Sequence, residues 1–204
     1  MDQSGNVALS LFDIGAVKFG AFKLKLHERN PTAPLSPIYI DLRLIRSFPS
    51  TLRDVSCILG RSAARLNPDF IADVPTAATP IAGVISAFFD LPMLSPRLTG
   101  KQHGIDVRLE GAPREGGTVV LIDDLITRAE SKLDAIAALR ENGMIVEHVV
   151  VLVDREQGGG EELKRLGCEL HAAMTLRQML DVFVVAGRVS EEKKLDVLRY
   201  LDSA

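Results

Sequence analysis

With 204 residues, 47% of them apolar, 25% charged and none tryptophan, the chain has the composition of a globular protein with one substantial core and a minor subdomain. A net charge of -3 offers no basic face to neutralise a nucleic-acid backbone, which excludes DNA or RNA as an expected partner. No run approaches the roughly 18 apolar residues of a membrane span, and Met1-Asp2-Gln3-Ser4 lacks the basic and apolar segments of a signal peptide, so a cytoplasmic protein is expected.

In chain order, the stretch from His27 to Pro37 holds Pro31, Pro34 and Pro37 and reads as a loop. Leu52, Val55, Leu59 and Leu66 recur at helical spacing. Phe70–Val74 is a short apolar run of the kind buried on both faces of a parallel sheet, and Pro80 to Phe89 reads as the helix after it. Leu98 to Gly117 is polar and glycine-containing, a long excursion expected to be mobile. Val119–Ile122 gives a second buried strand, Leu133, Ile136, Ala137 and Leu139 a helix, and Val149–Val153 a third strand. Thr175-Leu-Arg-Gln178 has capping-box spacing ahead of an apolar helix, and Ser190 is placed to cap a last helix that carries Leu195, Leu198 and Leu201. Alternating strands and helices make the class α/β, with a mostly parallel central sheet flanked by helices. Cys57 and Cys168 read as reduced core residues, since neither has CxxC spacing or a histidine at metal-ligand distance. No His/Cys cluster for zinc and no set of nucleophile, base and orienter is found.

The segment with the most chemistry in it is Val119-Val-Leu-Ile-Asp-Asp-Leu-Ile-Thr-Arg-Ala-Glu-Ser131. A buried strand here ends in two adjacent carboxylates, then a short turn, then a helix. In an open parallel sheet, ligands collect beyond the carboxyl ends of the strands, so Asp123 and Asp124 would face a crevice and accept hydrogen bonds from vicinal hydroxyls. The turn Thr127–Ser131 opens a helix whose free N–H groups and positive dipole end suit a phosphate. Acids at a strand end also describe a solvated turn, and spacing alone does not choose between the two.

Position by position, this segment resembles the phosphoribosyl-pyrophosphate signature of the type I phosphoribosyltransferases: four apolar residues, two acids, two apolar residues, threonine and a closing hydroxyl residue. Further stretches resemble orotate phosphoribosyltransferase, in particular the domain of uridine monophosphate synthase with that activity. Lys18-Phe-Gly-Ala-Phe-Lys-Leu-Lys25 and Ser36-Pro-Ile-Tyr-Ile-Asp-Leu-Arg43 look like its N-terminal hood, here residues 1–45 of a single 1–204 domain. The resemblance places Lys25 at the orotate ring and Tyr39 among the substrate contacts. Asp154-Arg-Glu-Gln-Gly-Gly159 is similar to the strand-end motif whose arginine, here Arg155, meets orotate. A guanidinium presents donors in a rigid plane, apt for a planar anion, although Arg155 would equally serve a surface ion pair with Asp154 or Glu156. Arg97-Leu-Thr-Gly-Lys-Gln-His-Gly104 resembles the mobile catalytic loop, with Lys101 and His103 on its catalytic positions and Arg97 among the substrate contacts. Outside that resemblance, Lys101 and His103 read as solvated loop residues. The resemblance implies transfer of ribose 5-phosphate from phosphoribosyl pyrophosphate to orotate, giving orotidine 5'-monophosphate and pyrophosphate. It also implies substrate-bound magnesium and a homodimer with shared sites, with Asp123 and Asp124 holding ribose and Thr127, Arg128, Ala129, Glu130 and Ser131 around the phosphate.

Some positions depart from the family pattern. Ala77 stands where a lysine or threonine is usual, Leu98 replaces a lysine, and Ala129 and Glu130 replace small residues of the phosphate loop. A glutamate aimed at phosphate from about 4 Å would cost roughly 4 kcal/mol at an effective dielectric near 20. Thr127-Arg-Ala-Glu130 also has capping-box spacing, which would turn Glu130 back onto the Thr127 N–H, and Arg128 could supply compensating charge. These departures leave a second reading beside the transferase: a catalytically impaired binding or regulatory relative.

Overall fold

The computed structural model describes residues 2–23, 27, 30–97 and 109–203. Helix α1 (Gln3–Asp13) is capped by Asp2, whose carboxylate accepts from the Gly5 N–H at 2.8 Å. Strands β1 (Val17–Phe22) and β2 (Ser36–Ile40) pair antiparallel with Val17 opposite Ile40. The predicted loop therefore ends two residues early, because Ser36 and Pro37 already belong to β2. A 3-10 helix (Leu42–Ser47) leads into α2 (Pro49–Arg65), followed by β3 (Phe70–Asp73), α3 (Thr79–Phe89) and β4 (Met93–Pro96). After β5 (Leu109–Glu110) come β6 (Thr118–Ile126), α4 (Glu130–Glu141), β7 (Ile145–Asp154), α5 (Gly159–Arg165), β8 (Glu169–Thr175), α6 (Leu176–Val185) and α7 (Glu191–Ser203).

The main sheet has the order β5-β4-β3-β6-β7-β8, parallel except for the antiparallel β4–β5 pair. Its central strands are apolar on both faces because both are covered. Val119, Leu121, Val149 and Val151 pack under Ala135, Ile136 and Leu139 of α4 and Leu163 of α5. Val120, Ile122, Val150 and Leu152 face the opposite layer, where α1, α2, α3 and α6 place Leu11, Leu59, Ile85 and Phe183. The result is a helix–sheet–helix sandwich, with the strand ends of β3, β4, β6 and β7 on one edge.

Local signals account for the termini. The Thr175 hydroxyl accepts from the Gln178 N–H at 3.2 Å and the Gln178 carboxamide accepts from the Thr175 N–H at 2.9 Å, the reciprocal capping box read from the sequence. Ser190 accepts from the Lys193 N–H at 3.2 Å. The face that α7 buries differs from expectation: Val197, Tyr200 and Leu201 are inside, whereas Leu195 is 48% exposed. Their i, i+3, i+4 stripe is the one that meets β2 and α6. Cys168 is buried but Cys57 only half-buried, and both thiols are free, so the core placement expected of Cys57 does not hold.

Strand β6 also runs further than the apolar run predicts. It continues through the two acids to Ile126, paired with β7 from Asp123 opposite Val151 to Ile126 opposite Asp154. A partner strand of equal reach satisfies the backbone there, which an apolar count does not register.

Candidate functional site

On β6, Asp123 is 3% exposed, a burial that a carboxylate tolerates only with a counter-charge. Lys132 supplies it. From the first turn of α4, its ammonium donates to Asp123 Oδ2 at 2.5 Å and to the Leu125 carbonyl at 2.8 Å, and the lysine itself is 2% exposed. The sequence reading passed over Lys132. No local pattern marks it, because its role depends on a partner 9 residues earlier.

Asp124 has a different environment. Its N–H donates to Asp123 Oδ1 at 2.8 Å, and its own Oδ1 accepts from the Leu125 N–H at 2.7 Å. Burial first, and then repulsion from Asp123, push its carboxyl up to about 7, against the pull of Lys132. One acid is thus bonded to a buried cation, and its neighbour titrates near neutrality.

The turn after β6 does not form the anticipated capping box. Helix α4 starts at Glu130 with Ala129 as its N-cap, so Glu130 is the first helical residue, two positions short of the reach needed to bond the Thr127 N–H. The Glu130 side chain lies exposed, as do Arg128 and Ser131. A different acid approaches the loop: the buried Ala129 N–H donates to Glu162 Oε2 of α5 at 2.8 Å. Helix α5 can come this close because its first residue is glycine. A Cβ on Gly159 would lie 2.5 Å from Ile126 Cγ1 and 2.9 Å from the Thr127 carbonyl, and the Gly159 N–H donates to that carbonyl at 3.1 Å.

Arg155 follows the end of β7, fixed by its N–H to the Ile126 carbonyl at 2.9 Å. Its side chain is only 5% exposed, yet Nε and Nη2 have no hydrogen-bond partner, and Gln157 Oε1 beside it is likewise buried and unpaired. Burial draws its pKa below the ordinary arginine value, opposed by Tyr200 of α7. The alternative of a surface ion pair is not realised: Asp154 Oδ1 accepts from the Glu156 N–H at 2.8 Å, and Glu156 lies 3.4 Å from Arg177. A buried cation with idle donors is costly unless something anionic is received.

On the neighbouring strand end, Asp73 is fully buried and accepts from the Thr79 hydroxyl and, at 2.6 Å, from Ser95. By pattern alone, one acid closing a four-residue strand carries no functional signal.

At the opposite end of β7, the structure brings together two histidines and a glutamate that the sequence keeps apart. His148 lies opposite Glu169 in the β7–β8 register, and His171 lies two residues further along β8 on the same face. The ring nitrogens His171 Nε2 and His148 Nδ1 are 3.1 Å apart, and Glu169 Oε2 lies 3.8 and 3.9 Å from them. The set is assembled across two strands, so no short sequence spacing announces it.

No protein-family model matches the chain. Over 190 residues it is 35% identical to the orotate phosphoribosyltransferase of Pyrobaculum islandicum, covering 93% of this chain and 94% of that one. The chain belongs to the orotate phosphoribosyltransferase family. Uridine 5'-monophosphate synthase of Bos taurus is 35% identical over 199 residues, and the chain spans 40% of that longer protein. The solved structure of Leishmania donovani UMP synthase superposes with a TM-score of 0.86 at 34% identity, covering 98% of this chain and 42% of that one.

Within this orotate phosphoribosyltransferase fold, the neighbouring ends of β6 and β7 bring Asp123, Asp124, the Thr127–Ser131 turn and Arg155 to one edge. Arg97 lies past β4 and is exposed, paired with Glu110 at 2.7 Å. Tyr39 remains in the hairpin, accepting from Arg43 at 3.2 Å with its ring 5.6 Å from that of Phe22. Ala77 is half-buried in the turn after β3, where Arg46 donates to the Thr76 carbonyl at 2.9 Å. Lys25, Leu98, Lys101 and His103 lie outside the described residues.

Proposed function

We infer that this chain transfers ribose 5-phosphate from phosphoribosyl pyrophosphate to orotate, releasing orotidine 5'-monophosphate and pyrophosphate. The observation that carries the reading is the buried Arg155 guanidinium with two idle nitrogens, on the strand beside Asp123 and Asp124. Orotate is a planar anion that would occupy those donors. Asp124 would accept from ribose hydroxyls with Asp123 behind it, and the turn from Thr127 through Arg128, Ala129 and Glu130 to Ser131 would hold the 5'-phosphate. Lys25 and Tyr39 of the hood, residues 1–45 of the one domain, would flank the base, with Arg97 toward the pyrophosphate. Lys101 and His103 would act on the leaving pyrophosphate, where positive charge supplied on closure favours the transition state.

Asp73 is occupied by two hydroxyls and Asp123 by Lys132, so of the three acids Asp124 alone is bonded to neither a hydroxyl nor a cation. That donor set fits a magnesium ion held mainly by substrate oxygens and not by a protein cage. When bound, magnesium offsets the charge of the pyrophosphate. The working enzyme is read as a cytoplasmic homodimer with shared sites, taking neither nucleic acid nor membrane as partner; no described helix is long and apolar enough to cross a membrane.

The test is direct. Purified protein with orotate, phosphoribosyl pyrophosphate and magnesium should show the ultraviolet change of orotate consumption. A folded protein inactive at high concentration would remove the reading. Calorimetry then separates the impaired relative, which would bind orotate or its nucleotide but not phosphoribosyl pyrophosphate.

A further inference from the structure

We propose that His148, His171 and Glu169 form a binding site for a borderline-soft divalent transition-metal ion, zinc above all, which clips the edge strand β8 to β7.

Three donors converge from two strands, and all their ligand atoms lie within 4.8 Å of one another. Zinc bonds to imidazole nitrogen at about 2.0–2.1 Å and to carboxylate oxygen at about 2.0–2.2 Å, so tetrahedral ligand atoms stand roughly 3.3–3.4 Å apart. The two ring nitrogens, at 3.1 Å, are within a few tenths of an ångström of that spacing. The carboxylate, at 3.8 and 3.9 Å, is about half an ångström too far. Its side chain is 69% exposed on a flexible stem, so it has the freedom to close that distance.

A shared proton between the rings also brings two imidazoles to 3.1 Å, and that contact is what the metal would replace. Both rings belong to paired strands whose register fixes the backbone, so the donors are held near ligating geometry before any ion arrives. Two imidazoles and one carboxylate select zinc, copper, nickel or cobalt over magnesium or calcium, which prefer all-oxygen shells. The histidine side chains are 31% and 27% exposed, leaving an approach for the ion and for a water as fourth ligand.

The location argues for a structural clip. His148 precedes Asp154, the end of β7, by six residues, roughly 20 Å along the strand, so the cluster is remote from the edge proposed for substrate. Among the described residues, strand β8 has a neighbour on one side only, and a cross-strand metal would hold it to that neighbour.

The experiment uses the full chain without a polyhistidine tag, stripped with a chelator and titrated calorimetrically with Zn2+, with Co2+ absorption as a second readout. Expected are one Zn2+ per chain, the visible bands of tetrahedral Co2+, indifference to excess Mg2+, and a Tm raised by roughly 5–10 °C at a hundredfold excess over Kd. His171→Ala and His148→Ala should each weaken binding at least about tenfold. The exposed Glu169→Ala, which disturbs no packing, should weaken it measurably and abolish the tetrahedral Co2+ spectrum even if a histidine variant misfolds. No Zn2+ binding to the wild-type chain, or affinity and spectrum unchanged in Glu169→Ala and in whichever histidine variants fold, would overturn the proposal.

Discussion

Strands β6 and β7 lie side by side and finish on the same edge, yet their ends are built on opposite electrostatic plans. At β6, charge is satisfied within the protein: Lys132 neutralises Asp123, and Glu162 takes the Ala129 N–H. At β7, the Arg155 guanidinium is buried with two nitrogens unpaired. The first arrangement stabilises the fold; the second is a cost the fold carries, and it makes sense only if a ligand completes it. Removing Lys132 should therefore act on stability, and removing the Arg155 guanidinium on binding.

The largest effect is expected at the saturated end. Lys132→Met leaves Asp123 buried without its counter-charge, for a loss of about 3–5 kcal/mol and a Tm lower by roughly 10 °C in thermal denaturation. Adding Asp123→Asn should restore most of it. Equal stability of Lys132→Met and wild type would show that the pair does not hold this end.

At the unsatisfied end the pattern should invert. Arg155→Met is expected to reduce kcat/KM for orotate by about a hundredfold or more, the order seen when one partner of a buried charged contact is removed, while Tm stays level or rises. Arg155→Lys should not rescue it, because an ammonium does not reproduce the planar set of donors. A stability loss as large as that of Lys132→Met would erase the contrast between the two ends.

Asp124 sharpens the comparison through pH. With its carboxyl pushed up to about 7, it is largely ionised at pH 8 and largely protonated at pH 6, so KM for phosphoribosyl pyrophosphate should rise roughly tenfold over that fall. Asp124→Asn should flatten the profile. The stability effect has the opposite sign. The folded pKa lies above the ordinary 3.8, so this group's contribution is fully present below about 3.8 and is lost as pH rises through 7. Asp124→Asn should accordingly melt higher than wild type at pH 8, with the gap closing at acid pH.

The smallest effect is predicted for Glu162→Gln. Removing a negative charge beside the loop proposed for phosphate should lower KM for phosphoribosyl pyrophosphate about two- to fivefold, as expected of a partly screened charge. An increase in KM would mean that the Glu162 carboxylate is needed to shape the loop.

Much of this was legible from residue order, and the limits have physical causes. The buried strands announced themselves through Val-Ile runs covered on both faces, and Thr175 with Gln178 gave the start of α6 outright. Edge strand β8 did not, because its exposure alternates irregularly and its run is not uniformly apolar. Of the candidate site, Asp123, Asp124 and Arg155 could be read from strand-end position. Lys132 and Glu162 could not, since each matters through a partner 9 or 33 residues away. The same holds for His148 and His171, whose meeting depends on β7–β8 register. Glu130 looked like a capping partner by spacing alone, but the helix starts two residues later than that motif needs.

Gly159 carries one last implication. With the Thr127 carbonyl and Ile126 against its bare Cα, the turn after β6 and the start of α5 are wedged together, so neither can be remodelled alone. An engineer who enlarged the region near Arg155 to admit a bulkier ring would shift α5, drag Glu162, and retune the neighbouring turn in the same stroke. On the roles proposed for Arg155 and the Thr127–Ser131 turn, selectivity for the ring and grip on the sugar phosphate would then be inherited as one trait.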